Sequence, residues 1–372
     1  MKILFEGTGT VKKFAESLHK VIDPDIECLL IFAGDGNGFT PNELDPLLKS
    51  ISIPIFGGIF PQIIYQHYHS EQGTLMIGLP NQPQEVVIIP NLSDAHVDFE
   101  ETVDQQISEH IDPSTIMVFV DAMSSRIAAL IEGMFNVFGL TCNYIGGGAG
   151  SLSFEKRPCL FTNQGLLSDS ALIVLMDMES GMGVKHGWEK VSGPFRVTQS
   201  DKNIIQTLDG KPALDVYQEI VEKHSRSVFT DDNFFKIARN YPFGINKLGT
   251  EKVVRDPLMK GCNRSIVCVG EVPAEFFVDI LTGNNYSLVR AAKQALAMAK
   301  AEYSSEDSPS LTLFMDCISR AMFLGEKLSL EIDAVLEKEH PLVGAFTIGE
   351  IANCRKDYLE FYNKTAVVGL LK

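Results

Sequence analysis

Residues 144–150 read YIGGGAG, and the four glycines in this stretch decide how the fold is interpreted. A Walker loop places lysine and then serine or threonine after its last glycine, whereas Ser151 and Leu152 follow here. A dinucleotide-binding loop opens a helix, but the segment after Gly150 contains Pro158 and lacks a helical period. The stretch therefore favours a close backbone approach, or a turn with positive φ, over a phosphate site.

The same succession of elements recurs around glycine in three parts of the chain. Each part has an apolar strand, a helix, and a second apolar strand that carries a pair of small residues. The strand and its pair are residues 29–33 with Gly57-Gly58, residues 117–121 with Gly146-Gly147, and residues 312–316 with Gly344-Ala345. The chain thus resembles three copies of strand-helix-strand-helix-strand-meander, at residues 1–80, 81–190 and 272–372.

Each copy is predicted to open with an apolar strand, KILFEG at 2–7, EVVIIP at 85–90 and FFVDIL at 276–281. The strands that carry the small-residue pairs are expected to end at Phe56, Ile145 and Val343. An insert at 191–271 contains a hairpin with its turn at 199–202 and a helix that starts after Pro212. We therefore predict an α/β fold with layered mixed sheets in two domains, residues 1–224 and 225–372.

The composition is typical of a globular protein, with 45% hydrophobic residues among 372. A net charge of −16 disfavours nucleic acid and anionic membranes as partners. No stretch approaches 18 apolar residues, and the N-terminus lacks the pattern of a signal peptide. The seven cysteines form no C-x-x-C pair, which argues against a disulfide framework or a zinc site. These features indicate a cytoplasmic protein.

Several short motifs, in this order, resemble the FIST family. YIGGGAG, Gly187-Trp188, Val197-Thr198 and LDGKPALD at 208–215 resemble its N-terminal domain. CISR at 317–320, GAFTIGEI at 344–351 and NKT at 363–365 resemble its C-terminal domain. The resemblance implies a sensory module of signal transduction that binds small molecules such as amino acids. It also implies a separate signalling partner of the kinase, cyclase or chemoreceptor type, because the FIST-like region fills the chain.

Two related motifs are candidate ligand sites, because a serine and an arginine follow an apolar strand that ends in aspartate. They contribute Ser124 with Arg126, and Ser319 with Arg320. The start of a helix with a nearby guanidinium suits a carboxylate. The alternative is a capping serine and a structural arginine–aspartate pair. The glycine pair Gly146 and Gly147 is interpreted as a fold requirement that also lines a pocket edge.

We expect the main site near Ser319 and Arg320, for a small zwitterion or carboxylate. The other residues predicted around it are Cys317, Gly344, Gly349, Glu350 and Asn363. In this hypothesis Arg320 holds the carboxylate and Glu350 faces the amine. Glu350 pairing with Arg320, and Asn363 fixing a turn, are the structural alternatives.

Two other functions stay open at the level of sequence. An enzyme acting on a small carboxylate or amine would use Cys317, made a thiolate by the nearby cation, or Asp121. A haem-binding nitric oxide sensor, which some family members resemble, would use His67, His69 or His186. No triad spacing is recognisable and no covalent haem motif is present. We therefore expect a binding module without a cofactor.

Overall fold

The computed structural model describes residues 1–108, 111–230, 232–247, 251–353 and 358–372. The described residues form three related units, numbered here in chain order, and an antiparallel barrel inserted into the third unit. The prediction of a mixed-sheet α/β fold built from three repeated units is confirmed.

The first unit contains the elements β1 (Lys2–Glu6), α1 (Val11–Val21), β2 (Cys28–Gly34), α2 (Pro41–Leu48), β3 (Ile55–Phe60), β4 (Gln62–Tyr65), β5 (Tyr68–Ser70) and β6 (Thr74–Leu79). Four strands form a sheet in the order β1-β6-β2-β3, in which β2 and β3 run parallel. Helix α1 begins after Thr10, whose hydroxyl accepts a hydrogen bond from the Lys13 amide. The helix then buries its apolar face, including Phe14 and Leu18.

The second unit repeats this arrangement with β7 (Glu85–Pro90), α3 (Phe99–Gln106), β8 (Thr115–Asp121), α4 (Ile127–Phe138), β9 (Asn143–Ala149), β10 (Leu160–Thr162), β11 (Gly165–Leu167) and β12 (Ser170–Met176). Its sheet has the same order, β7-β12-β8-β9, and again only the last two strands are parallel. Helix α4 buries Ile127, Leu130, Ile131 and Met134, which recur at helical spacing along one face.

The third unit opens with β13 (Ser180–Lys185), and the barrel follows at once. The barrel consists of β14 (Glu189–Asp201), β15 (Ile204–Leu208), β16 (Lys211–Pro212), α5 (Ala213–Ser225), α6 (Phe234–Ala238), β17 (Phe243–Ile245), β18 (Val253–Lys260), β19 (Ile266–Val269) and β20 (Phe277–Thr282). Its strands are antiparallel in the order β14-β20-β17-β18-β19-β15, and β14 also pairs with β15, which closes the sheet.

The predicted hairpin is confirmed and is formed by β14 and β15, but its turn lies at 202–203 because residues 199–201 still belong to β14. The predicted helix after Pro212 is α5. The proposed boundary between residues 224 and 225 falls at the end of α5, inside the barrel region. The extents of the two domains stay a prediction.

After the barrel, the third unit continues with α7 (Asn285–Glu302), β21 (Leu311–Cys317), α8 (Ile318–Leu324), α9 (Leu328–Val335), β22 (Leu342–Thr347), β23 (Glu350–Ala352), β24 (Glu360–Tyr362) and β25 (Ala366–Leu371). Its sheet order is β13-β25-β21-β22, which matches the first two units. The prediction that FFVDIL opens this unit is therefore wrong, because that segment forms β20 of the barrel. The true first strand, SGMGVK, contains glycines because α7 packs directly on it: a Cβ atom at Gly183 would lie 1.8 Å from the Ala295 carbonyl oxygen.

The three units exchange hairpins in a cycle. The hairpin β4–β5 of the first unit extends the third unit's sheet at β22, β10–β11 of the second unit extends the first unit's sheet at β3, and β23–β24 of the third unit extends the second unit's sheet at β9. Every sheet is thereby completed by strands from another unit.

Gly57, Gly146 and Gly344 occupy the same place in the three sheets. A Cβ atom would lie within about 2 Å of the paired carbonyl oxygen on the neighbouring strand in each case, at 2.0 Å for Gly57 and Ile31, 1.8 Å for Gly146 and Val118, and 1.9 Å for Gly344 and Phe314. Only glycine fits such an approach. These glycines lie inside the strands, which continue to Phe60, Ala149 and Thr347, so the predicted strand ends were wrong.

The YIGGGAG stretch lies where β9 meets the other two units. The Gly148 amide donates to the Gly349 carbonyl at 2.8 Å, and the Ile348 amide donates to the Gly148 carbonyl at 3.0 Å. The Gly150 amide donates to the Ile59 carbonyl at 2.8 Å. The glycines therefore permit backbone contacts among three units, as the close-approach interpretation expects.

Candidate functional site

Arg320 is fully buried within the third unit. Its Nε lies 2.9 Å from Asp316 Oδ1, and its Nη2 donates to Glu331. The same guanidinium donates to the carbonyls of His186 at 2.5 Å and Leu288 at 3.1 Å. Because His186 follows β13 and Leu288 lies in the first turn of α7, Arg320 ties together the two points where the chain leaves for the barrel and returns.

Arg126 plays a similar part in the second unit. Its Nη1 donates to the carbonyls of Asp94 at 2.5 Å and Val97 at 2.7 Å, in the loop between β7 and α3. Its guanidinium also lies 4.8 Å from the centre of the Phe99 ring. Both arginines thus hold the loop between the first strand and the first helix of their unit. This shared structural role explains the Ser-Arg motif without a ligand.

The Arg320 cluster contains more negative than positive charge. Asp316 and Glu331 are both fully buried beside the single guanidinium. Burial and the charge of Glu331 hold the pKa of Asp316 well above its ordinary value, against the opposing effect of Arg320. A proton on Asp316 would offset the excess negative charge in this interior.

Glu350 and Cys317 form a second buried group beside this cluster. Glu350 accepts hydrogen bonds from the Thr347 hydroxyl at 2.8 Å and the Thr365 amide at 3.2 Å, and burial raises its pKa to about 8. Burial and the charge of Glu350 raise the pKa of Cys317, whose sulfur accepts a hydrogen bond from the Ser319 hydroxyl at 3.1 Å. The expected lowering of this pKa by Arg320 is therefore wrong, and the cysteine lacks the thiolate character that a nucleophile needs.

The structure brings several other predicted residues to the same region. Gly147 pairs with Glu350, and Gly146 pairs with Ile351, because β23 adds to the second unit's sheet. Gly349 has a φ of +95°, and Gly344 lies within buried β22.

Asn363 is buried, and its Oδ1 accepts a hydrogen bond from Arg255 Nη1 at 3.3 Å. Burial lowers the pKa of Arg255 to about 10. Ser124 and Arg126 belong to the corresponding end of the second unit. The structure thus brings Cys317, Gly147 and Asn363 close to Glu350.

A narrow cleft lies where the barrel meets the third unit. The lining residues come from α6 and its end, from β18, from α8 and from the loop before β25: Phe235, Arg239, Asp256, Ser319, Met322, Phe323 and Lys364. The space inside is about 20 Å³, which suits one group the size of a water or an ammonium. Of the residues predicted from sequence, Ser319 lines this cleft.

Lys364 is the buried cation of the cleft. Its ammonium lies 3.0 Å from Asp256 Oδ2, donates to the Arg239 carbonyl at 3.0 Å, and lies 4.7 Å from the centre of the Trp188 ring. Its backbone φ is +54°, which is uncommon for a residue other than glycine. A buried ion pair and a strained backbone therefore meet at one position of the cleft wall.

Two polar atoms of the cleft have no hydrogen-bond partner among the described residues, Asp256 Oδ1 and Arg239 Nε. Asp256 is about 7% exposed, so its free oxygen has little access to bulk water. Burial raises the pKa of Asp256, and the charges of Lys364 and Arg239 oppose that rise. A group that donates to Asp256 and a group that accepts from Arg239 would both find complementary atoms here.

Sequence reasoning did not select Asp256, Arg239 or Lys364. Lys364 belongs to the NKT motif, which gave one available signal for that position. Asp256 and Arg239 lie on separate barrel elements, and no local pattern relates them to Ser319.

The histidines considered as haem ligands lie in different settings. His67 contacts Asp333 at 2.9 Å, and His69 contacts Gln62 at 2.8 Å, both through Nδ1 on the exposed β4–β5 hairpin. His186 is buried, accepts a hydrogen bond from the Trp188 amide at 2.8 Å, and has its pKa lowered to about 4 by burial. Within the described ranges, no three His, Cys, Asp or Glu side chains are grouped to hold a metal ion.

The comparisons with known proteins agree with the domain order predicted from sequence. The FIST N domain model matches residues 11–211, and the FIST C domain model matches residues 213–353. No curated protein matches the chain. None of the helices in the described segments combines the length and apolarity needed to cross a membrane. With both family models matched in order over most of its length, the chain belongs to the FIST family.

Proposed function

We propose that the chain is a small-ligand-binding sensory module of signal transduction, and that its ligand is an amino acid or a similar compound with an amine and a carboxylate. FIST domains are associated with sensory modules of signalling proteins. The observation that carries the proposal is the presence of Asp256 Oδ1 and Arg239 Nε in one cleft, each without a partner among the described residues.

Opposite charges in the cleft suit the two ends of such a ligand. The amine would donate to Asp256 Oδ1, and the carboxylate would accept from Arg239 Nε, both of which are buried beside the cleft. A buried polar atom left without a hydrogen bond costs about 1–3 kcal/mol, which a ligand with complementary atoms recovers. The exposed side chains of Phe235 and Met322 beside the cleft offer apolar contact to the rest of the molecule.

This proposal moves the carboxylate anchor from Arg320 to Arg239. Arg320 is surrounded by carboxylates and backbone carbonyls of its own unit. Ser319 keeps a place in the site through its position in the cleft wall. Glu350 accepts a hydrogen bond from the amide of Thr365, the residue after Lys364 of the cleft.

The position of the cleft suggests how binding would be read out. A ligand held by Asp256 and Arg239 of the barrel and by Ser319 of α8 would fix the barrel against the third unit. A separate cytoplasmic kinase, cyclase or chemoreceptor would then recognise the fixed arrangement. The scheme requires no haem and no catalytic step.

A thermal-shift screen of amino acids and small carboxylates, followed by calorimetric titration, tests the proposal. Asp256→Asn keeps the shape of the side chain but removes the charge that attracts the amine. Losing one partner of a buried charged pair costs about 2–5 kcal/mol, so affinity should fall by roughly 30-fold or more. Asp169→Asn in the second unit is the matched control and should bind normally.

Two results would overturn the proposal. One is a ligand that binds Asp256→Asn as tightly as the unaltered chain. The other is the absence of any stabilising compound in the screen, which would indicate that a single water bridges Asp256 and Arg239.

A further inference from the structure

A larger open groove, called the chamber here, lies next to the narrow cleft and shares Phe323 with it. Its volume is about 510 Å³, within the range of small-molecule sites. Most of its lining side chains are hydroxyls and amides, among them Ser227, Asn240, Tyr241 and Thr282, together with Lys236. The chamber is therefore suited to a polar group rather than to an apolar one.

The chamber and the cleft are neighbours along α6. Lys236 lines the chamber and Arg239 lines the cleft, three positions later. Residues three apart on a helix have Cβ atoms about 5–6 Å apart. Phe323 borders both spaces, and its ring packs edge-on against Trp188 with centres 5.1 Å apart. A ligand seated in the cleft would thus reach the chamber with a side chain only a few bonds long.

The charges that line the two spaces are unbalanced. Among the described lining residues, Lys236, Arg239 and Lys364 are cationic and Asp256 alone is acidic. Lys236 forms no ion pair with any described carboxylate. An amino acid with a neutral side chain brings no net charge and leaves this positive excess in place. An amino acid with an acidic side chain brings one negative charge and places it near Lys236.

We infer that the preferred ligand class is an α-amino acid with an acidic side chain, whose second carboxylate lies in the chamber beside Lys236. The inference rests on the proposed function, because it uses Asp256 and Arg239 to seat the amine and the first carboxylate. It adds the length and charge of the side chain as the features that the protein selects.

A matched series of ligands tests this selection by calorimetric titration. Aspartate, glutamate and 2-aminoadipate place the second carboxylate at increasing distance, and alanine lacks it, while glutamine and norvaline keep length without charge. Glutamate or 2-aminoadipate should bind up to about fivefold more tightly than glutamine, because one exposed charge pair contributes at most about 1 kcal/mol. Lys236→Gln should remove this preference and leave the affinity for alanine unchanged.

The outcomes separate the inference from the proposed function. If acidic and neutral amino acids bind equally and Lys236→Gln changes neither, the inference is wrong and the proposed site stands. If Asp256→Asn leaves all affinities unchanged, the proposed site is wrong, and the inference falls with it. Absence of binding by every member of the series overturns the inference, and the wider screen then decides whether the proposed site stands.

Discussion

One structurally equivalent position separates the second and third units in charge: it is Asp169 in the second unit and Lys364 in the third. Asp169 lies two residues before Ala171, which pairs with β8, and Lys364 lies two residues before Ala366, which pairs with β21. Both residues have a positive φ, +45° for Asp169 and +54° for Lys364. Asp169 is satisfied within its own unit: Ser93 and Ser124 donate to its carboxylate at 2.6 Å and 2.8 Å. Lys364 instead pairs with Asp256 of the barrel.

This difference shows how the insertion creates a site on a repeated frame. The second unit closes its end with short polar side chains that meet each other's hydrogen-bonding needs. The corresponding end of the third unit is covered by the barrel. This contact leaves Asp256 Oδ1 and Arg239 Nε without partners among the described residues. The repeated frame supplies stability, and the interface with the barrel supplies the candidate chemistry.

Replacing the two arginines is the strongest test of this comparison between the second and third units. Arg320→Met should lower the free energy of unfolding by about 3–5 kcal/mol, because it leaves Asp316 and Glu331 buried without a cation. Arg126→Met should cost about 1 kcal/mol, since its partners are carbonyls near the surface. Urea unfolding followed by circular dichroism measures both. Equal losses in the two variants would show that the barrel places no special demand on Arg320.

The buried acid of the third unit gives the next largest effect. The pKa of Glu350 is raised from 4.5 to about 8, so the folded state binds its proton more tightly than the unfolded state. Its contribution to stability is complete below pH 4.5 and is lost as the pH rises through about 8, at about 1.4 kcal/mol per pH unit between the two pKa values. Glu350→Gln should reduce this decline when unfolding is measured from pH 5 to 9. An unchanged pH profile would contradict the assignment.

The smallest effect concerns the serines at the two ends. Ser124→Ala removes one hydrogen bond to Asp169 and should cost about 1 kcal/mol. Ser319→Ala removes only a weak bond to the Cys317 sulfur and should cost less, yet it should alter ligand affinity because Ser319 lines the cleft. Parallel unfolding and titration experiments distinguish the two. A loss of binding in Ser124→Ala alone would reverse the roles of the two units.

Much of the frame is predictable because it depends on local pattern. Apolar strands, helical faces and the recurrence of glycine all repeat at similar spacing in the three units. The first strand of the third unit was missed because the whole barrel separates β13 from α7. The sequence of an apolar segment such as FFVDIL does not show which sheet it joins, since strand pairing depends on distant partners.

The candidate site is less predictable for the same reason. Ser319 and Lys364 belong to motifs, but Asp256 and Arg239 line the cleft only because the barrel packs against α8. The pKa of Cys317 was expected to fall near Arg320, yet burial and Glu350 dominate. Sequence proximity to a cation does not reveal how far a thiol is removed from water.

The cyclic exchange of hairpins has a consequence for how the chain is made. During synthesis the first unit emerges before the other two, but its hairpin β4–β5 pairs with β22, which is translated only after the barrel. The second unit likewise waits for β23 to cover the edge of β9. Until then both hold unpaired strand edges, which are prone to join other chains. A nascent chain of this design therefore carries these open strand edges until β22 and β23 have been translated.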